Sequence, residues 1–252
     1  MFFNFHSYTN FTASAFKNNK LLLILKKTIL LYLVLIPLMV NAQKDRPRNL
    51  PGYDYKNLHF GFTIGLNSMD LGFQRSLNND LIADVIRIEP GFQVGIVSDL
   101  RLSENWNFRF LPGISFGQRN LAFYNDTSKV TEMKIESSYL EFPFIFKYRA
   151  ERLNNFRPYL IGGLNYRYDM AARKEFEEES NVFLKLQPGD LYLELGLGVD
   201  AYLQYFKFST ELKLGIGMLN ILVNDVAEGY PQYLNSLNGI NSFIVMLNFH
   251  FE

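Results

Sequence analysis

Hydrophobic and polar residues alternate along most of the chain from residue 58 onward. The stretch DLYLELGLGVDAYLQY (190–205) places leucine, valine and alanine at one parity, with Glu194, Asp200 and the glycines at the other. A period of two indicates a β-strand with two unlike faces. This stretch alone does not indicate which face points inward.

Seven further runs share this pattern, and no convincing amphipathic helix separates them. The predicted strands are Leu58–Asn67, Pro90–Leu102, Asn105–Gln118, Glu136–Arg149, Phe156–Met170, Asp190–Gln204, Phe206–Asn220 and Ile240–Phe251. Most have about ten residues or more, close to the roughly 9–11 residues of a strand that crosses a bilayer at a tilt. Strand length therefore favours a membrane protein.

The connections between these runs alternate in length. Long polar segments (68–89, 119–135, 171–189 and 221–239) alternate with short ones (103–104, 150–155 and a turn near Tyr205). Outer-membrane barrels place short turns in the periplasm and long loops outside. We therefore expect an all-β fold, an eight-stranded antiparallel up-and-down transmembrane β-barrel, located in the outer membrane of a Gram-negative cell with both termini in the periplasm.

The position of the charges decides which face points outward. In FKFSTELKLGIGML (206–219), Phe206 and Leu212 lie on one face, and Lys207 and Glu211 on the other. Each Lys or Arg that faced lipid near the midplane would cost about 2–4 kcal/mol. The alternative is a lipocalin-like soluble barrel, but its narrow interior would have to hold bulky Phe, Leu and Trp from nearly every strand. We expect the apolar faces to contact lipid.

The polar faces then gather charges of both signs inside a narrow lumen. The predicted lumen charge network comprises Asp99, Arg101, Arg109, Glu141, Lys147, Arg149, Arg167, Asp169, Glu194, Asp200, Glu211 and Lys213. Because an unpaired buried charge is strongly penalised, these groups must pair. For Glu194 and Asp200 we expect Lys213 or Arg167 as partners. This pattern predicts a plugged barrel and not an open channel.

Candidate catalytic chemistry is sparse. His59 and His250 are expected to form a pair at the periplasmic rim, where a metal site is the alternative to a hydrogen-bonded structural pair. The segment RKEFEEES (173–180) could bind calcium on an outer loop, although a solvated loop is the better interpretation. The chain has no cysteine, which excludes disulfides and thiolate sites. We expect no enzymatic activity, no cofactor and no metal.

The N-terminus predicts export. Lysines precede the apolar run TILLYLVLIPLMVNA (28–42), which ends in small residues and predicts a signal peptide (1–42) cleaved after Ala42. A membrane anchor is the alternative, but the run is shorter than the roughly 20 residues of a spanning helix. A periplasmic lead (43–57) and the barrel (58–252) would follow. The net charge is +0, so we expect no nucleic-acid partner.

Four long blocks resemble one family. They are HFGFTIGLNSMDL (59–71), PGFQVGIVSDLRLSENWNFRFLPGISFGQR (90–119), IESSYLEFPFIFKYRAERLNNFRPYLIGGLNYRYDMA (135–171) and DLYLELGLGVDAYLQYFKFSTELKLGIGMLN (190–220). They resemble the PorT family of outer-membrane barrels in the type IX (Por) secretion system. The resemblance implies a part in exporting proteins that carry a C-terminal secretion signal and, in gliding organisms, in motility. It implies no catalytic residue.

The expected partners are outer-membrane lipid, other type IX secretion components and the barrel-assembly machinery. The last strand, SFIVMLNFHFE (242–252), resembles the terminal signal that this machinery recognises, although Glu252 follows the aromatic Phe251. The family is often described as a translocating porin, but a charge-filled barrel predicts an accessory or assembly role. Two alternatives stay open: a generic OmpA- or OmpX-like barrel for adhesion or envelope stability, and a lipid-modifying enzyme.

Overall fold

The computed structural model of the chain describes residues 48–75, 81–125, 128–172, 185–223 and 236–252. The strands are β1 (Leu58–Arg75), β2 (Leu81–Arg101), β3 (Trp106–Phe110), β4 (Gly113–Asn125), β5 (Ser128–Arg149), β6 (Phe156–Asp169), β7 (Gly189–Tyr202), β8 (Lys207–Gly217) and β9 (Leu237–Phe251). A 3-10 turn, Tyr53–Tyr55, precedes them. Among these residues, no helix is long and apolar enough to cross a membrane. The predicted signal peptide (1–42) and the acidic segment Arg173–Ser180 lie outside the described residues.

The strands close into an antiparallel ring of 8 positions. Closure occurs at β1, which pairs with β2 from Leu58↔Leu100 to Ser68↔Pro90 and with β9 from Phe62↔Phe251 upward. Residues 48–57, the C-terminus and the short connections lie at one end of the ring, called here the terminal end. The opposite end is called the hairpin end. The predicted fold class, an up-and-down barrel, is confirmed.

The third predicted strand, Asn105–Gln118, is wrong as a single element. It is divided into β3 and β4 at Leu111 and Pro112, and the two pieces together fill one position of the ring between β2 and β5. Proline has no N–H to donate to a ladder, which favours a break. The wall stays hydrogen-bonded there, because Ile96 donates its N–H to the Pro112 carbonyl at 2.9 Å.

Apolar side chains cover the outside of the ring. Phe62 stacks on Phe251 across the closure with ring centres 4.8 Å apart, and Phe110 stacks on Phe144 at 5.0 Å. Beside these residues the charged side chains point inward, so the predicted orientation of the two faces holds in this part of the described strands. These outward residues, from Leu58 to Leu66 on β1 and their neighbours around the ring, are called here the apolar band.

Two of the four long segments predicted as loops are mostly strand. Of the described residues, 68–75 belong to β1, 81–89 to β2, 119–125 to β4 and 128–135 to β5. The parity continues from the apolar band, but its polarity reverses. On β1 the outward positions change from Leu66 to Ser68 and Asp70, and the inward positions change from Asn67 to Met69 and Leu71. The prediction failed because it required apolar residues on the outward face.

The reversed strands enclose a hydrophobic core at the hairpin end. Its buried members, called here the hairpin cluster, are Leu71, Ala83, Leu121, Phe123, Met133, Ile135, Ile221, Leu222, Leu237 and Ile240. The chain following β8 contributes to it, because Leu186 and Leu222 form an isolated bridge beside it. The described part of the hairpin end is therefore packed like a soluble protein.

Candidate functional site

The lumen beside the apolar band contains the predicted charge network. Nine of its twelve members take part in ion pairs: Asp99, Arg109, Glu141, Lys147, Arg167, Glu194, Asp200, Glu211 and Lys213. The other three are bound differently. Arg101 and Arg149 donate to backbone carbonyls at the terminal end, and Asp169 accepts from the backbone N–H groups of Ser138 and Ala171.

Arg109 is the centre of the part of the network nearer the terminal end. Its guanidinium reaches Asp99 at 2.8 Å, Glu252 at 2.7 Å and Glu211 at 3.3 Å. These three carboxylates come from β2, β8 and the residue after β9. Because Arg109 itself is on β3, one side chain connects distant walls of the ring. The Arg109 residue has 0% exposure, so the link crosses the lumen itself.

Lys147 forms the second link. Its Nζ lies 2.7 Å from a carboxylate oxygen of Asp200 and 3.7 Å from the centre of the Tyr159 ring. The Asp200 carboxylate also accepts from Ser209 Oγ at 2.6 Å. Gly198 makes room for the Tyr159 ring, since a Cβ there would lie 2.4 Å from it. The expectation that Asp200 pairs with Lys213 or Arg167 is wrong, because Lys147 projects into the lumen at the level of Asp200.

Glu194 is the centre of the part of the network nearer the hairpin end. Lys213 Nζ lies 2.7 Å from one of its oxygens and Arg167 Nη2 lies 3.4 Å from the other, as the sequence predicted for this residue. The same Arg167 nitrogen is 3.1 Å from Glu141. Asn165 donates to Glu194 at 2.7 Å. Every charge in this group thus has a partner from another strand.

Two residues of the network were missed. Lys207 Nζ is 2.8 Å from the Glu252 carboxylate, and the backbones of the two residues exchange hydrogen bonds at 2.7 and 2.9 Å. Strand parity could have identified both, because Lys207 alternates in step with Glu211, and Glu252 with His250. In the sequence, Glu252 stands out only as a departure from a terminal aromatic residue.

The two histidines have separate environments. The His59 ring stacks on Tyr53 with centres 4.0 Å apart, whereas His250 Nε2 lies 3.4 Å from Glu211. In the register of β1 and β9, His250 is opposite Thr63, four residues along the strand from His59. They do not form the expected pair. Within the described residues, no group of three His, Cys, Asp or Glu side chains is placed to hold a metal ion.

One small cavity remains between these side chains in the lumen. It has a volume of about 20 Å³ and is lined by polar side chains that include Thr63, Gln93, Asn248 and His250. A volume of this size accommodates about one water molecule. Such a cavity is far too small to let a polypeptide pass.

Residues 48–57 lie across the terminal end of the lumen. Arg101 donates from Nη1 to the backbone carbonyl of Asp54 at 2.6 Å. Burial alone would raise the pKa of the Asp54 carboxyl. Hydrogen bonds from Tyr202 and Arg152 and the charge of Arg157 outweigh burial and lower this pKa below its ordinary value. These contacts were not predictable from the sequence, because the side chains that bind the Asp54 carboxylate are 98 to 148 residues away.

One family model matches this chain, and several solved structures resemble it distantly. Residues 41–222 match the model of a family described as outer membrane protein beta-barrel domain. No curated protein matches the chain. Among solved structures, OprG from Pseudomonas aeruginosa is 12% identical with a TM-score of 0.45, over 83% of this chain and 96% of that chain. Neisserial surface protein A is 11% identical with a TM-score of 0.38, over 77% and 98%.

A third solved structure is the N-terminal β-barrel domain of Pseudomonas aeruginosa OprF, which is 9% identical with a TM-score of 0.31, over 75% of this chain and 96% of that chain. These likenesses are too distant to assign a function. The family match spans well over half of the sequence. The chain belongs to the family of outer membrane protein β-barrel domains, and its place is the outer membrane.

Proposed function

We propose that this barrel is a closed accessory component of the type IX secretion system, needed for export of proteins that carry a C-terminal secretion signal. We further propose that the terminal end faces the periplasm and the hairpin end faces the cell exterior, and that the chain is not an enzyme. Four sequence blocks that resemble the PorT family support the secretion role.

The observation that carries the accessory role is the position of Arg109. Its contacts with Asp99, Glu211 and Glu252 join β2, β3, β8 and the C-terminus across the lumen. Opening a path for a polypeptide would separate these charges in a buried site, where removing a partner costs about 3–5 kcal/mol. A barrel held in this way acts through its ends, as a platform for other components.

A deletion strain tests the secretion role. Loss of the gene is expected to leave C-terminal-signal cargo inside the cell, and the natural protein supplied from a plasmid should restore export. The measurement is the fraction of one tagged cargo protein in the medium and on the surface. Normal export in the deletion strain, with an envelope that has become sensitive to detergent, would instead support a general envelope barrel, which the family match fits equally well.

Conductance separates an accessory barrel from a porin. Purified protein in planar bilayers is expected to show no stable channel wide enough for a polypeptide. A reproducible large conductance from folded protein, present in the natural chain and absent from a heat-denatured sample, would contradict the closed state.

A further inference from the structure

Two arginines at the terminal end are fixed in direction by the barrel itself. Arg152 donates from Nε to the carbonyl of Asn154 at 2.8 Å, and its guanidinium lies 3.7 Å from the centre of the Tyr202 ring. Asn154 has a φ of 54°, a left-handed conformation that asparagine tolerates in turns. Arg157 donates from Nε to the Ala150 carbonyl at 2.7 Å. The rim therefore presents two oriented guanidinium groups.

These groups converge on one carboxylate. Asp54 Oδ2 accepts from Arg152 Nη1 at 3.1 Å. Asp54 Oδ1 accepts from Arg157 Nη1 at 3.1 Å and from the Tyr202 hydroxyl at 2.8 Å. The three donors come from the turn between β5 and β6, from β6 and from β7. Hydrogen bonds to charged groups are stronger than neutral ones, so this arrangement selects a carboxylate over an amide.

Tyr53, the residue before Asp54, also has defined contacts with the barrel. The Tyr53 ring stacks on His59 with an angle of 11° between the planes, and Lys207 Nζ lies 5.0 Å from its centre. Asn49 adds a third contact, from Nδ2 to the Tyr202 carbonyl at 3.0 Å. The barrel rim thus recognises a segment that forms a short 3-10 turn, through an aromatic residue followed by an aspartate. We call this arrangement the terminal mouth.

We propose that the terminal mouth is a recognition site for a carboxylate-bearing segment of this kind. Residues 49–55 of the chain fill it in the structure, and a partner segment with the same aromatic–aspartate chemistry binds there when they are displaced. The lead competes from within the same molecule, at the effective concentration, of the order of millimolar, that a short linker imposes. A partner therefore gains access chiefly when the lead is weakened or pulled away.

This inference rests on the proposed function in one respect: the proposed orientation of the barrel places the terminal mouth, and any partner that binds it, in the periplasm. Its test uses purified full-length protein in detergent micelles and needs no secretion. A barrel without a role in type IX export could still bind the peptide, and an exporter could fail to bind it. Failure of one proposal is thus distinguishable from failure of the other.

The test measures binding of a fluorescent peptide with the sequence of residues 49–55, NLPGYDY, by anisotropy. The receptor is the full chain with Asp54→Asn, which keeps the shape of the lead but removes its charge. The comparison peptide has Asn in place of Asp. We expect the Asp peptide to bind about 10-fold more tightly than the Asn peptide, and to bind the natural protein more weakly than the Asp54→Asn chain.

Further variants identify the receptor groups. Arg152→Gln with Arg157→Gln, added to Asp54→Asn, should abolish the preference for the Asp peptide, and Tyr202→Phe should reduce it while preserving the packing of the ring. Glu151→Gln, an exposed neighbour on the same turn, is the matched control and should change nothing. Heat-modifiable migration on gels selects folded variants. Equal binding of the two peptides, or a preference that survives loss of both arginines, would overturn the proposal.

Discussion

The two halves of the barrel follow the same strand geometry with opposite chemistry. Beside the apolar band, the outward side chains are apolar and the interior contains ion pairs such as Lys147 with Asp200. At the hairpin end, the outward side chains are polar and the interior contains the hairpin cluster. Along β5, Phe144 and Lys134 both point outward on one continuous strand. The solvent on each side of the wall, and not the strand itself, therefore determines which face is apolar.

The largest expected effect is removal of the central cation beside the apolar band. Arg109→Ala leaves Asp99, Glu211 and Glu252 without their shared partner, and breaking a buried ion pair costs about 3–5 kcal/mol. The free energy of unfolding in urea, measured in detergent micelles, should fall by that amount. Lys134→Ala is the control. It removes an exposed cation at the hairpin end and should stay within about 0.5 kcal/mol.

A substitution on the outward face tests the boundary between the halves. Phe144→Arg places a charge against lipid and should destabilise the barrel by about 2–4 kcal/mol in a bilayer. Lys134→Leu, on the same strand and face, should have almost no effect because that position contacts water. The measurement is unfolding in lipid vesicles. If both variants had equal stability, the reversal of polarity along β5 would not mark the edge of the membrane.

A smaller change tests whether the hairpin end is stabilised independently. Ile135→Val removes one buried methylene from the hairpin cluster and should cost about 0.5–1.5 kcal/mol. Hydrogen exchange should accelerate at the amides of β4 and β5 between the level of Ser138 and the tip of their hairpin, and stay unchanged beside Lys147. Val130→Ala, at an exposed position of the same hairpin, is the control. Uniform acceleration through the whole barrel would mean that the two halves unfold as one unit.

The smallest expected effect is a dependence on pH at the terminal mouth, where Asp54 is bound. The folded pKa of Asp54 lies below its ordinary value of 3.8, because Tyr202, Arg152 and Arg157 surround it. The stabilising contribution is therefore fully present above about pH 4 and is lost as the pH falls through the lowered folded value. The measurement is cleavage of the lead by pepsin, because pepsin is active in acid and trypsin is not. Cleavage of the natural protein should increase as the pH falls through that value. Asp54→Asn should cleave readily without that pH dependence.

Much of the fold was predictable from residues such as Glu194 and Leu195, because alternation, strand length and charge placement all indicated the same orientation. The strand parts at the hairpin end were not predictable by that rule. Asn67 predicts a polar inward face on β1, but the next inward residues, Met69 and Leu71, are apolar. Both kinds of interior obey a period of two, and only the surroundings of the strand distinguish them.

The candidate site was predictable to a similar depth. Parity identified which charges share the lumen, and the neighbours Glu194 and Lys213 could be paired from sequence because β7 and β8 are adjacent. The pair Lys147–Asp200 depends on how side chains from nonadjacent strands β5 and β7 meet across the interior. The contact of Asp54 with Arg157 depends on ring closure, which brings together residues 103 positions apart.

The step from Leu66 to Ser68 on β1 has a consequence for the surrounding lipids. A wall whose outward polarity changes within one pair of residues cannot slide along the membrane normal without exposing leucine to water or immersing Asp70 in hydrocarbon. Lipids must adjust to the barrel instead, by thinning or stretching around it, at a cost of a fraction of a kcal/mol per Å of hydrophobic mismatch. We therefore expect the barrel to be held at a fixed depth and, of two bilayers, to partition into the one whose hydrocarbon thickness better matches the apolar band.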